Sequence, residues 1–155
     1  PEALKAYTRK ENVAVFEKAG VFSARELESR YEIAMEDYTA KVLIEANCAL
    51  DMVKTMVLPA VRQEYREAIT AYNETDASNV KCAIDVLHDE VVRLASGLTA
   101  TADSVARLED AVRNADPEAA IVEMSTLRKE VDALERQVAD DKWPLPKYRE
   151  MLFVY

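Results

Sequence analysis

Glycine is nearly missing from this 155-residue chain: there are two, in a sequence that is 50% hydrophobic and 32% charged. Turn-rich β folds and glycine-rich phosphate loops both need more, so long helices are the expectation. Histidine is scarcer still. His88 stands alone, which excludes any mechanism or metal site built on two imidazoles. Cysteine is limited to Cys48 and Cys82, both inside helical patterns, and points to a reduced, cytoplasmic setting rather than a disulfide scaffold. Lys and Arg number 20 against 29 Asp and Glu, for a net charge of −9. Phosphate recognition needs clustered cations, so neither nucleic acid nor an anionic membrane surface suits the chain as a partner. The sequence shows no signal peptide, G-x-S-x-G elbow or zinc spacing. It starts at Pro1 without a methionine, and is expected to be a piece of something longer.

What is abundant is apolar helix-forming sequence. Residues 42–61 read VLIEANCALDMVKTMVLPAV, greasy on almost every face of a helix and expected to be buried on most sides. The stretch is about a membrane span in length, yet Glu45, Asp51, Lys54 and Asn47 sit inside it. Each charge near a bilayer centre costs on the order of 3 kcal/mol. It reads instead as the central strut of a helical bundle.

Four segments follow. Residues 1–22 predict a helix over 3–19, with Leu4, Tyr7, Val13 and Phe16 on a buried side and Gly20 as a left-handed cap that brings Val21 into apolar contact. Residues 23–74 open on a capping box, Ser23 with Glu26, flanked by Phe22 and Leu27 as a hydrophobic staple. From there a three-four spacing through Leu27, Tyr31, Tyr38, Val42, Val53, Met56, Ala60, Tyr65 and Tyr72 predicts one helix of 24–72, kinked rather than broken at Pro59. Residues 73–78 read as a polar turn. Residues 78–140 carry sevens: Ile84, Val91, Leu98, Val105 and Val112, with Val80, Leu87, Leu94, Thr101 and Leu108 as companions. Gly97 and Thr101 look like weak points of that seam. Asp116-Pro117 starts the next helix, expected to run to Asp140 with Ala120, Met124, Leu127, Val131, Leu134 and Val138 inward. So short a link makes the two helices, 79–114 and 117–140, an antiparallel coiled-coil hairpin. Residues 141–155 are a Pro/aromatic tail in which Trp143 and Phe153 are expected to dock. The fold class is all-α, an elongated bundle with one long kinked central helix and a hairpin.

Candidate chemistry is thin. Asp85 and His88 imitate half of a di-iron carboxylate-x-x-His motif, but such sites need it twice, and a solvated helix face is the reading preferred. Cys48, Met52 and Met56 stack three sulfurs at steps of four, usable by Cu(I) but more ordinary as core filler. Glu45, Asp51 and Lys54 invite a catalytic reading. Pairing of Asp51 with Lys54 and of Glu45 with Lys41, or simple edge exposure, accounts for them better. Trp143-Pro144-Leu145-Pro146 resembles a proline-rich ligand, yet at a chain end it is expected to pack on its own domain. No catalytic, cofactor-binding or metal-binding residue is assigned.

Several segments together resemble the C-terminal part of type III glutamine synthetases: Glu11-Asn12-Val13-Ala14-Val15-Phe16-Glu17-Lys18, Gly20-Val21-Phe22, Glu26-Leu27, Arg30-Tyr31-Glu32-Ile33, Ile44-Glu45-Ala46, Leu58-Pro59-Ala60, and Trp143-Pro144-Leu145-Pro146-Lys147-Tyr148 to Leu152-Phe153. The resemblance implies an ATP-dependent ligase joining ammonia to glutamate, using Mg2+ or Mn2+, in a ring-shaped homo-oligomer. It places the metal-binding glutamates and nucleotide site in an upstream catalytic domain, so that none carries over onto this segment. The role implied here is structural and assembly-related, with the catalytic domain of the same chain and neighbouring subunits as partners. A stand-alone helical interaction or sensor module remains the alternative.

Overall fold

The computed structural model describes residues 2–78 and 81–152, and among them every regular element is helical. A 3₁₀ turn, Leu4–Thr8, precedes α1, Lys10–Lys18. The long helix comprises α2, Ala24–Met52, a π turn, Val53–Val57, and α3, Leu58–Ala77. After a short 3₁₀ turn, Lys81–Ala83, come α4, Ile84–Arg113, α5, Pro117–Glu135, and α6, Tyr148–Met151.

The 3–19 helix of the sequence reading is two pieces. Arg9 takes an extended conformation, ψ 133°, and the Asn12 side chain donates 2.7 Å to the Ala6 carbonyl that the interruption frees. None of Leu4, Tyr7, Val13 and Phe16 is buried. Gly20 does close α1 at φ 66°, with Val21 N–H on the Phe16 carbonyl and Gly20 N–H on the Glu17 carbonyl, a Schellman arrangement. The apolar contact falls one residue later than expected: Val21 is exposed, while the rings of Phe16 and Phe22 lie 5.8 Å apart. The capping box forms as read. Ser23 N–H donates 2.8 Å to Glu26 Oε2, which holds that carboxyl below its ordinary range.

Pro59 does not break the long helix. Proline removes an N–H and its ring presses on the carbonyl four residues back, that of Thr55. The π turn widens the backbone there, Leu58 N–H bonds the Val53 carbonyl, and Thr55 Oγ1 bonds the Asp51 carbonyl at 2.7 Å. Nor does the helix stop at Tyr72. Residues 73–77 contain neither Gly nor Pro, so they continue as helix, and Ser78 closes it through its N–H on Glu74 and its hydroxyl on Thr75.

Partners across elements give the topology. Lys54 pairs with Glu109 and the Tyr72 ring meets His88 at 5.9 Å, so α4 runs antiparallel to the second half of the long helix. Arg107 pairs with Glu123 and Gly97 faces Leu134, so α5 runs antiparallel to α4. The link is residues 114–116, where Ala115 adopts φ 51° and Asp116 caps α5 with bonds to the N–H groups of Glu118 and Ala119. The three layers enclose one core that includes Val42, Ala46, Leu50, Val57, Val61, Leu94, Leu108, Ala120, Leu127, Leu134, Val138 and Trp143.

Two sequence expectations about that core change. Residues 42–61 are not buried on most sides: Ile44 is 68% exposed, and Met52 and Met56 also face out. In α4 the companion set lies deepest, with Leu94, Thr101 and Leu108 fully buried and Leu87 half-buried, whereas Ile84, Val91, Leu98 and Val112 are half-buried beside them. Val80 lies outside the described residues.

α5 ends at Glu135, not Asp140. Its last carbonyls are taken by side chains, Gln137 Nε2 on Ala133 at 3.2 Å and Lys147 Nζ on Glu135 at 3.3 Å. The chain then turns twice, so that Val138 and Trp143 both point into the core.

Candidate functional site

The residues singled out for chemistry do not converge. Asp85 and His88 sit on the solvent face of α4, where His88 Nδ1 is 3.7 Å from Asp89 and its ring rests on Tyr72. Cys48, Met52 and Met56 all lie outside the buried core, which corrects their reading as core filler; Cys48 and Cys82 are both free and exposed. The charges of the greasy stretch also find partners other than those expected. Lys54 pairs with Glu109 of α4 rather than Asp51, and Lys41 with Asp37 at 2.6 Å rather than Glu45. Glu45 and Asp51 are exposed, so edge exposure is the outcome for both. Among the described residues no group of three His, Cys, Asp or Glu is placed to hold a metal ion.

What the structure does assemble is a clamp at the tail. Lys142 is mostly buried and meets Glu64 at 2.8 Å and Glu67 one turn further along α3. The hydrogen bonds that Lys142 donates to Glu64 and then to Glu67 push its ammonium above its ordinary range, and accepting from Lys142 holds the Glu67 carboxyl below its own. Lys147 meets Asp140, fixing the segment that carries Trp143. Trp143 and Leu145 then pack on the core, so the Trp-Pro-Leu-Pro run does dock on its own domain; Phe153 lies outside the described residues. Sequence reasoning had no access to this clamp, because its partners are 75 to 78 residues apart and nothing local marks them.

Beside the docked tail lies a cleft of about 410 Å³. Its walls come from α2 and the π turn (Ala49, Met52, Val53, Val57), α5 (Met124, Leu127, Val131) and the tail (Trp143, Leu145, Met151), with Arg128, Asp132 and Glu135 as its charged members. The lining holds no nucleophile paired with a base. No helix among the described residues is long and apolar enough to cross a membrane.

Comparison with known proteins gives the context. A family model described as the glutamine synthetase C-terminal domain matches residues 1–76, the stretch from the chain start through the long helix. The type-3 glutamine synthetase of Dictyostelium discoideum is 30% identical over 99% of this chain. Glutamine synthetases of Bacteroides fragilis and Butyrivibrio fibrisolvens are 28% and 22% identical, again over 99%. This chain spans only 23 to 24% of those relatives' lengths. No solved structure matches it. The chain therefore belongs to the glutamine synthetase family, as a C-terminal helical segment of the type-3 kind.

Proposed function

We propose that this segment is the structural and assembly domain of a type-3 glutamine synthetase. The parent would join ammonia to glutamate at the expense of ATP with a divalent metal ion, as a cytoplasmic homo-oligomer, while this segment packs on the catalytic part of the same chain and on neighbouring subunits. The carrying observation is the match of 99% of the chain to about a quarter of each relative. Among the described residues the donor set does not fit a divalent metal ion. A divalent metal ion needs convergent carboxylates, and no group of three His, Cys, Asp or Glu among the described residues is placed to hold one. In this reading the nucleotide and metal sites belong to the rest of the parent, as the resemblance to glutamine synthetases implies.

Two measurements on the parent test the reading. Deletion of residues 1–155 is expected to shift the assembly to smaller species, with turnover falling as a consequence. An intact assembly with normal turnover after deletion would remove the role. Calorimetry of the segment with Mg-ATP is expected to show no heat of binding, and micromolar affinity would overturn the division of labour.

A further inference from the structure

The core stops well short of the N-terminal end. Its contiguous buried cluster begins on the long helix at Val42, and upstream of that residue α2 buries only Leu27. The Leu4–Thr8 turn, α1 and the first half of α2 form a limb outside that cluster, in which Leu27 is the one buried side chain among the described residues. The turn lies on α2, but no residue of the turn or of α1 is buried. α1 is held by its corner: Phe16 against Phe22, the Arg30 guanidinium 4.4 Å over the Phe22 ring, and Ala24 N–H on Glu17 Oε1 at 3.1 Å. Meanwhile Val15 is 65%, Val21 56% and Ile33 63% exposed.

Such a limb is underdetermined by its own chain. α1 has nine residues, whereas isolated helices shorter than about 12–15 are marginal, and helices in proteins draw most of their stability from burying an apolar face. The exposed apolar residues of the hairpin, Val86 and Val122 for example, pose no such problem. They sit singly on helices whose other faces already line the core.

The relatives say where a cover can come from. A segment that is about a quarter of its relatives and carries the description of a C-terminal domain follows a much longer stretch of chain. The limb is the first part of the segment that stretch reaches. Tethering raises its effective concentration there to the millimolar range for short linkers. Resting on the assembly role proposed above, we infer that the limb is the docking surface for the preceding part of the same polypeptide, with Val15, Val21 and Ile33 supplying the apolar contact.

Hydrogen exchange on the full-length protein tests it. In the unmodified protein the amides of α1 are expected to exchange at least about tenfold more slowly than in the Val15→Lys/Val21→Lys variant, with α4 and α5 unchanged in both. Lysine is a better helix former than valine at position 15, and at position 21, beyond the helix end, it keeps the backbone N–H that closes the turn, so weakening of α1 itself does not produce that loss. A control, Val86→Lys/Val122→Lys, is expected to leave α1 protected. Equal α1 exchange in the unmodified protein and the Val15/Val21 variant would overturn the inference, as would loss of α1 protection in the control. Unchanged α1 exchange in that variant, with assembly lost on deleting residues 1–155, sinks the limb contact and leaves the assembly role. Loss of α1 protection with assembly unaffected by deletion does the reverse.

Discussion

Gly97 of α4 and Leu134 of α5 occupy one space: a Cβ built on Gly97 would stand 2.6 Å from Leu134 Cδ2. The glycine is therefore the recess that receives a fully buried leucine. Helix propensity alone says Gly97→Ala should stabilise by about 1 kcal/mol. The contact says the opposite, because overpacking a dense core costs about 1–3 kcal/mol. Net destabilisation is expected in urea unfolding, and the Gly97→Ala/Leu134→Ala double variant is expected to lose less than the sum of the two single losses. A stabilised single variant would show that Leu134 moves aside freely.

Thr101 is wholly buried, and its hydroxyl has no hydrogen-bond partner. A desolvated, unpaired hydroxyl costs about 1–3 kcal/mol. Thr101→Val keeps the shape and removes the orphan, so thermal unfolding should shift upward, by an amount equivalent to about 1 kcal/mol. An unchanged or lowered midpoint would mean that the hydroxyl is paired in solution.

Ala115 sits at φ 51° in a Schellman turn of the same type as the one Gly20 closes. A residue with a Cβ in that region is strained by about 1–2 kcal/mol. Ala115→Gly is expected to gain roughly 0.5–1 kcal/mol after its own entropy penalty. Ala115→Val should lose at least as much. Paired denaturation curves of the two variants check both signs.

The Lys142 clamp titrates in a defined window. Glu67 is held below its ordinary 4.5, so its contribution is complete above that value and fades as pH falls through the lowered one. Lys142 is held above its ordinary 10.5, so its contribution is complete below that value and is lost only beyond the raised one. Trp143, next in the chain and the sole tryptophan, reports the outcome. Its emission should stay blue-shifted and shielded from acrylamide between pH 5 and 10, then shift red below the Glu67 range. Lys142→Met should shift it red at neutral pH and flatten the acid transition. A tail that stays docked in that variant would show that the apolar contacts of Trp143 suffice.

Much of the fold was legible because it depends on neighbours in sequence. Ser23 with Glu26, Gly20, and Asp116-Pro117 each satisfy orphan backbone groups within four residues, and each formed as the residue types require. The sevens of α4 likewise selected Leu94, Leu108 and, across the hairpin, Leu134 for the core. The misreadings share one cause. Hydrophobicity shows which residues would tolerate burial but not whether another element arrives to cover them, so Ile44 and Met56 were read as buried and are exposed. The end of α5 was misjudged for a related reason: Lys147, which takes the Glu135 carbonyl, reaches back from twelve residues further along the chain.

By itself the amino-acid sequence determined the all-helical class, the caps and the hairpin direction, since these follow from periods of three, four and seven and from local hydrogen-bond closure, while the family followed from the resemblance of particular segments such as Glu11 to Lys18 and Trp143 to Tyr148. Only the tertiary structure decided that Lys54 meets Glu109, that Lys142 meets Glu64, that Gly97 is a recess rather than a flaw, and that the N-terminal limb stands outside the core. Those relationships join residues tens of positions apart. Their energies depend on which surfaces the packed helices bring within a few ångströms, and no local pattern encodes that.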